Sequence, residues 1–375
     1  MGTGQKTRIE FSEMLGRRVR IGDWQDQTIG TYRKIAEAVR EGDWDHAADL
    51  ADYFVDEANV CFTLYRQWVN DLRGFLADAG MDAEELAAVD ADVQSKLTTP
   101  EGNPWNAHRH WDSFRTHQRN LLKHIYRAET AEALETLDVM KDVWRQTHDR
   151  DVDHTYGLMS AIQDHHGAQG IADMYERVLL PLFSWRYQKF DIDSHPWDEA
   201  LETLLTVSCE AMRGHLVGPQ RTGDMELIEE EDRWVIRFDP CGSGQRIIRG
   251  DWEEDTPARM EAPYNWAVSE EPASWNHYTK GICLYCAHCI VLNEEMPMDR
   301  FGYPTRVIDP PVYPDTDRDP AVRQRCQWTM YKDPTTVPEE YYERVGRKKP
   351  AVFGSSHFDA GELPDAGALG LPGIG

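Results

Sequence analysis

Residues 43–80 read DWDHAADLADYFVDEANVCFTLYRQWVNDLRGFLADAG. Leu50, Phe54, Ala58, Cys61, Tyr65, Trp68, Leu72 and Phe75 step by three or four. That spacing draws one apolar stripe along about seven turns of helix, with Gly80 as the stop. A stripe of this length cannot stay in water and calls for partner helices. Just upstream, Ile35, Ala36 and Val39 share a helical face, and Glu41-Gly42-Asp43 reads as the turn between the two helices. Residues 1–30 give no clear period and read as an N-terminal arm.

Downstream, the sequence EALETL occurs at 132–137 and again at 199–204. Carried forward, the offset aligns His148 with His215, and a weaker alignment adds Cys61. An internal helical repeat is one explanation. The abundance of Ala, Leu and Glu in helices is the other. Either way, residues 31–218 read as a helical bundle.

Composition shifts after Gly218-Pro219, where Pro, Gly, Trp and Tyr become dense. Trp234, Ile236 and Phe238 alternate as in a strand, and Arg246–Arg249 reads as a second short one. Thr305–Ile308, among prolines, is at best an edge strand. Cys326, Trp328 and Met330 alternate again, and Pro338-Glu339-Glu340 opens a last helix. The expected fold class is therefore α+β: a helical bundle at 31–218, a smaller Cys-rich, loop-rich α+β metal-binding domain at 219–350, and a flexible tail at 351–375.

Five of the seven cysteines fall between 241 and 326. Cys283, Cys286 and Cys289 are spaced as CxxCxxC, with Cys241 in DPCGSG and Cys326 in QRCQW. Soft ligands at such spacing suit zinc, which takes four Cys or His ligands. The expected metal ligands are Cys241, Cys283, Cys286, Cys289 and Cys326. An iron–sulfur cluster is the alternative, although the Cys-Pro that ends the bacterial ferredoxin pattern is absent. Cys61 and Cys209 lie in helical stripes and are expected to be inert core residues.

The glycines of DPCGSG can turn backbone N–H groups toward one point, which makes Cys241 a candidate nucleophile. His288, between two cysteines, is a candidate general base. Trp252, Tyr264, Trp266, Trp275, Tyr278 and Tyr285 precede or enter the cluster and are expected to line a small-molecule pocket. His148, His154, His165 and His166 alternate with aspartates, but without the Glu-x-x-His pattern of bundle metal sites. His154 and His165 are expected to point inward from one helical face.

A net charge of −26 argues against nucleic acid, and no apolar run approaches a membrane span or a signal-peptide core. A cytoplasmic location is expected, with a small-molecule ligand and room for a homo-oligomer. Nucleotide-binding and serine-hydrolase motifs are missing. The sequence points to a zinc-dependent hydrolase or lyase acting on a small polar substrate between the two regions. The alternatives are a sensor or assembly protein with structural zinc, and an iron–sulfur protein.

Overall fold

The computed structural model describes residues 7–359. A hairpin comes first, β1 (Arg8–Ser12) and β2 (Arg17–Ile21), followed by the short α1 (Trp24–Gln27). The residues read as an arm are thus paired, and β1 and β2 pack on the helices, with Val19 and Arg20 buried. Then come α2 (Thr31–Glu41), α3 (Trp44–Asp78), α4 (Ala83–Ser95), α5 (Ala107–Tyr126), α6 (Thr130–Met174), α7 (Leu180–Arg186) and α8 (Trp197–Gly214). Strands β3 (Glu226–Glu229) and β4 (Arg233–Phe238) lead into α9 (Gly244–Arg249). Helices α10 (Leu284–Ile290) and α11 (Met296–Phe301), strands β5 (Val307–Asp309) and β6 (Cys326–Tyr331), and α12 (Glu339–Glu343) complete the chain.

The α3 stripe behaves as its spacing dictates. All eight residues of the stripe are buried, and α3 packs on α2, α5, α6 and α8. Gly42 ends α2 in the left-handed region at φ 73°, where a side chain would clash with its own backbone. The four-stranded sheet is antiparallel in the order β3-β4-β6-β5. Phe238 pairs with Cys326 and Ile236 with Trp328, and β5 takes the edge. Helices and two small sheets make this an α+β fold. One continuous buried cluster runs from Ile35 to Val345 through helices and sheet alike.

Several local expectations need correction. Arg246–Arg249 is helical, not extended, because Arg246 and Arg249 are drawn inward by buried aspartates. The expected metal-ligand stretch CLYCAHC is helical from Leu284 on. Cys283 caps α10, Cys286 and Cys289 follow on the helix, and a π-helical turn at Val291–Glu295 carries it into α11 past Pro297. His165 is exposed rather than inward. The start of the expected tail is held, since Ser355 and Ser356 donate backbone N–H groups to Asp191 and Asp193. Residues 360–375 lie outside the described residues. Among the described residues, no helix is long and apolar enough to cross a membrane.

The middle of α6 breaks the amphipathic rule, with Thr147 through Ser160 buried without a gap. Asp151 pairs with Arg66 of α3 at 2.6 Å, and the other two buried acids are matched from the C-terminal half. Asp149 takes two bonds from Arg221, at 2.7 and 3.1 Å. Asp153 takes two from Arg246, at 2.6 and 3.1 Å, and two from Arg259, at 3.1 and 3.0 Å. Bidentate pairs of this kind are what permit charge inside a core.

Candidate functional site

A cavity of about 180 Å³ lies where α3, α8 and the 183–190 segment meet α10 and the sheet. That exceeds the roughly 150 Å³ that admits a benzene-sized ligand. Cys241, Cys286, Cys289 and Cys326 all line it, as do His215, Ser243 and His288. Cys283, also expected at the site, is fully buried behind Cys286 and does not reach the lining.

The DPCGSG loop is held by close contacts. A Cβ on Gly242 would lie 2.2 Å from the His215 carbonyl oxygen, and one on Gly244 would lie 2.1 Å from the Cys286 sulfur. The glycines therefore let the loop press against the end of α8 and against α10. The Ser243 N–H points at the Cys241 sulfur, 3.4 Å away, and Gln245 accepts from the Cys241 N–H. Cys241 and Cys289 are the half-buried thiols, and the other five are buried.

Burial pushes the Cys289 thiol well above its ordinary value, helped by nearby Cys241. Burial does the same at Cys326, with Cys241 and Cys289 adding to it. Cys286 is raised by its hydrogen bond to Cys283 and by burial. At Cys283 burial opposes ionisation, but hydrogen bonds from Cys286 and the local backbone outweigh it and lower the thiol. Cys209 is raised to about 11 by burial, as expected of a core thiol. Cys61 is raised too, yet it also forms part of the cavity wall. Among the described residues, no three Cys, His, Asp or Glu side chains are arranged to grip one metal ion.

His288 donates from Nδ1 to the Tyr285 carbonyl, which leaves Nε2 as the acceptor, 3.5 Å from the Cys289 sulfur. Burial lowers its pKa to about 4, so it is neutral at pH 7. It therefore pairs with Cys289.

The second imidazole, His215, was not singled out as a site residue by its sequence. It caps α8 and heads a buried relay. Arg221 fixes Asp149, Asp149 Oδ1 lies 2.8 Å from His148 Nδ1, and His148 Nε2 lies 2.7 Å from His215 Nδ1. Burial opposes the Asp149 charge, but Arg221 and Arg246 outweigh it and hold the carboxyl well below its usual range. Burial keeps both imidazoles neutral. The ionised Asp149 then accepts a hydrogen bond from His148 Nδ1–H, and His148 Nε2 must accept from His215 Nδ1–H. His215 Nε2 is left with its lone pair and with no partner among the described residues. Ser243 Oγ and the Tyr65 hydroxyl lie 3.2 Å from the same Nδ1, and Tyr65 reaches the Tyr285 hydroxyl at 2.6 Å. The one sequence signal was the offset that aligned His148 with His215. The two touch, instead of lying one repeat apart.

The expected aromatic pocket is only partly present. Of its six residues Tyr285 alone lines this cavity, and Trp252 lies in a separate depression under Arg249, Arg318 and Arg323. Phe183, Tyr187, Phe190, Phe238 and Trp328 supply the aromatic walls. His154 is buried and hydrogen-bonded to Gln94, away from the cavity.

No family model, no curated protein and no solved structure matches this chain.

Proposed function

We propose that the protein is an enzyme, a hydrolase or lyase, that acts on a small molecule in this cavity, with the Cys241 thiol as nucleophile and His215 as proton acceptor. The observation that carries this reading is the convergence of a half-buried thiol, a backbone N–H directed at its sulfur, and a neutral imidazole backed by a buried aspartate. In a hydrolytic cycle the sulfur attacks a carbonyl carbon, and its proton passes to an imidazole. The leaving group then departs protonated, and water cleaves the thioester. His288, paired with Cys289, lines the same cavity as a second neutral base. The mostly apolar lining favours a substrate with a compact apolar body over the small polar one expected from sequence.

A nitrophenyl acetate assay tests the reading. Wild-type protein gives a burst of about one nitrophenolate per chain, and Cys241→Ser gives none. A burst that survives Cys241→Ser would rule out this nucleophile.

The second reading keeps zinc, or an iron–sulfur cluster, on Cys241, Cys286, Cys289 and Cys326. Its support is that these four thiols line one cavity and that nearby Cys241 helps raise the pKa of Cys286, Cys289 and Cys326. In that form a sensor or assembly role is as apt as catalysis. Metal analysis separates the two readings, because stoichiometric metal lost on Cys286→Ser would favour the metal centre.

A further inference from the structure

We propose that the end of the cavity formed by Lys189 and Arg306 binds the carboxylate of a small organic anion, so that the substrate is a carboxylic acid with a compact apolar body. The assignment rests on the cavity being the substrate site of the proposed function, but not on the thiol chemistry.

The chain carries a net charge of −26, yet this wall is cationic. Arg186, Lys189 and Arg306 line it. The two carboxylates in the same lining are already neutralised from behind. Glu57 pairs with Arg213 at 2.6 Å, and Glu210 takes two bonds of 2.5 Å from Arg17 and one of 2.7 Å from Tyr53. Neither is left to balance Lys189 or Arg306.

Arg306 is the strongest pointer. It is 7% exposed and forms no ion pair among the described residues. Its Nη1 donates to Asn293 Oδ1 at 2.7 Å, while its Nε is buried with no acceptor. A buried guanidinium without a counter-charge is an unstable arrangement unless a ligand supplies the anion. The guanidinium lies over the Trp328 ring at 5.1 Å, which fixes the plane of its fork. A planar fork of donors matches a carboxylate. Lys189 has no hydrogen-bond or ion-pair partner among the described residues. Burial, with Arg186 and Arg17 nearby, presses its ammonium down to about 8, as expected where positive charge accumulates. Beyond this end Leu64, Phe183, Phe190 and Ile308 offer an apolar wall to the body of the ligand.

The test is calorimetric titration and thermal shift with acetate, hexanoate and benzoate against their amides and inorganic phosphate. At least one carboxylate should bind tenfold or more tighter than its amide. Arg306→Gln should weaken that binding about tenfold, and Arg306→Lys should restore part of it. Lys189→Met should weaken it at unchanged melting temperature, and this variant carries the test if Arg306→Gln does not fold. Cys241→Ser should leave binding unchanged, so a burst that survives this variant with binding retained would sink the thiol chemistry alone. Equal binding of acid and amide, indifference to both cation variants, binding of phosphate but no carboxylate, or no binding at all would each overturn the proposal.

Discussion

Helices α3 and α6 cross the same core but fill it with opposite chemistry. α3 buries a stripe of Leu, Phe, Tyr and Trp, whereas the centre of α6 buries arginines, aspartates and histidines. Apolar burial is non-directional and tolerates repacking. Buried charge is directional and fails when one partner is removed. α3 therefore acts as the support, and α6 fixes where the C-terminal half sits. The arginines that answer Asp149 and Asp153 come from 221, 246 and 259; Arg221 bonds the His215 and Leu216 carbonyls, and Arg246 bonds the Gly242 carbonyl of the DPCGSG loop.

The sharpest way to break this contrast is Asp153→Ala, which strands both Arg246 and Arg259. Chemical denaturation should show a loss of about 3–5 kcal/mol. A loss under about 1 kcal/mol would mean the network is solvated and the contrast false. Leu72→Ala, at full burial on α3, should cost roughly 2–4 kcal/mol by the same measurement.

Acidification probes the imidazoles. Burial lowers the folded-state pKa of His148, His154, His215 and His288, with His154 at about 3 and His288 at about 4. Below about 6.5 the unfolded chain takes up protons that the folded chain refuses, so stability is full above that pH and falls as pH drops toward 4. Each imidazole adds at most about 1.4 kcal/mol per pH unit to the slope. Asp151 works the other way, since burial raises it to about 7 and the folded state binds its proton first. Four imidazoles stand against Asp151 and the more modestly raised Asp71, Asp164, Glu253 and Glu295, so a net loss of stability is predicted from pH 6.5 to about 5, where the imidazoles of the unfolded chain take up their protons, measured by urea titration across that range. A flat profile would mean that the histidines are hydrated. The smallest effect is expected at exposed His165, where His165→Ala should change stability by no more than about 0.5 kcal/mol.

The same contrast explains what the sequence disclosed. The α3 stripe, the helix from Thr31, the strands at 234–238 and 326–330 and the edge strand before Asp309 were legible, because hydrophobic period reports burial directly. The α6 centre was not, because TYGLM follows a run of His and Asp that looks solvated until its arginines are known. Arg246–Arg249 looked extended for the same reason, the charge of Arg246 being satisfied by Asp153, 93 positions away, and that of Arg249 by Asp239 and by Asp315, 66 positions away. At the site, Cys241, Cys286, Cys289, Cys326 and His288 were nameable from cysteine spacing, and the structure brings them to one cavity. His215, Lys189 and Arg306 were not nameable, since each is an ordinary residue locally and gains a role only from what folds against it.

Alkylation mapping tests the central claim most directly. Native protein is treated with limiting iodoacetamide, and labelled cysteines are located by peptide mass spectrometry. Cys241 should label first and fastest, with Cys61, Cys209 and Cys283 unlabelled until unfolding. If Cys241 stays unlabelled while a buried thiol reacts, or if all seven cysteines react alike, the cavity does not present Cys241 as its nucleophile and the proposed chemistry is wrong.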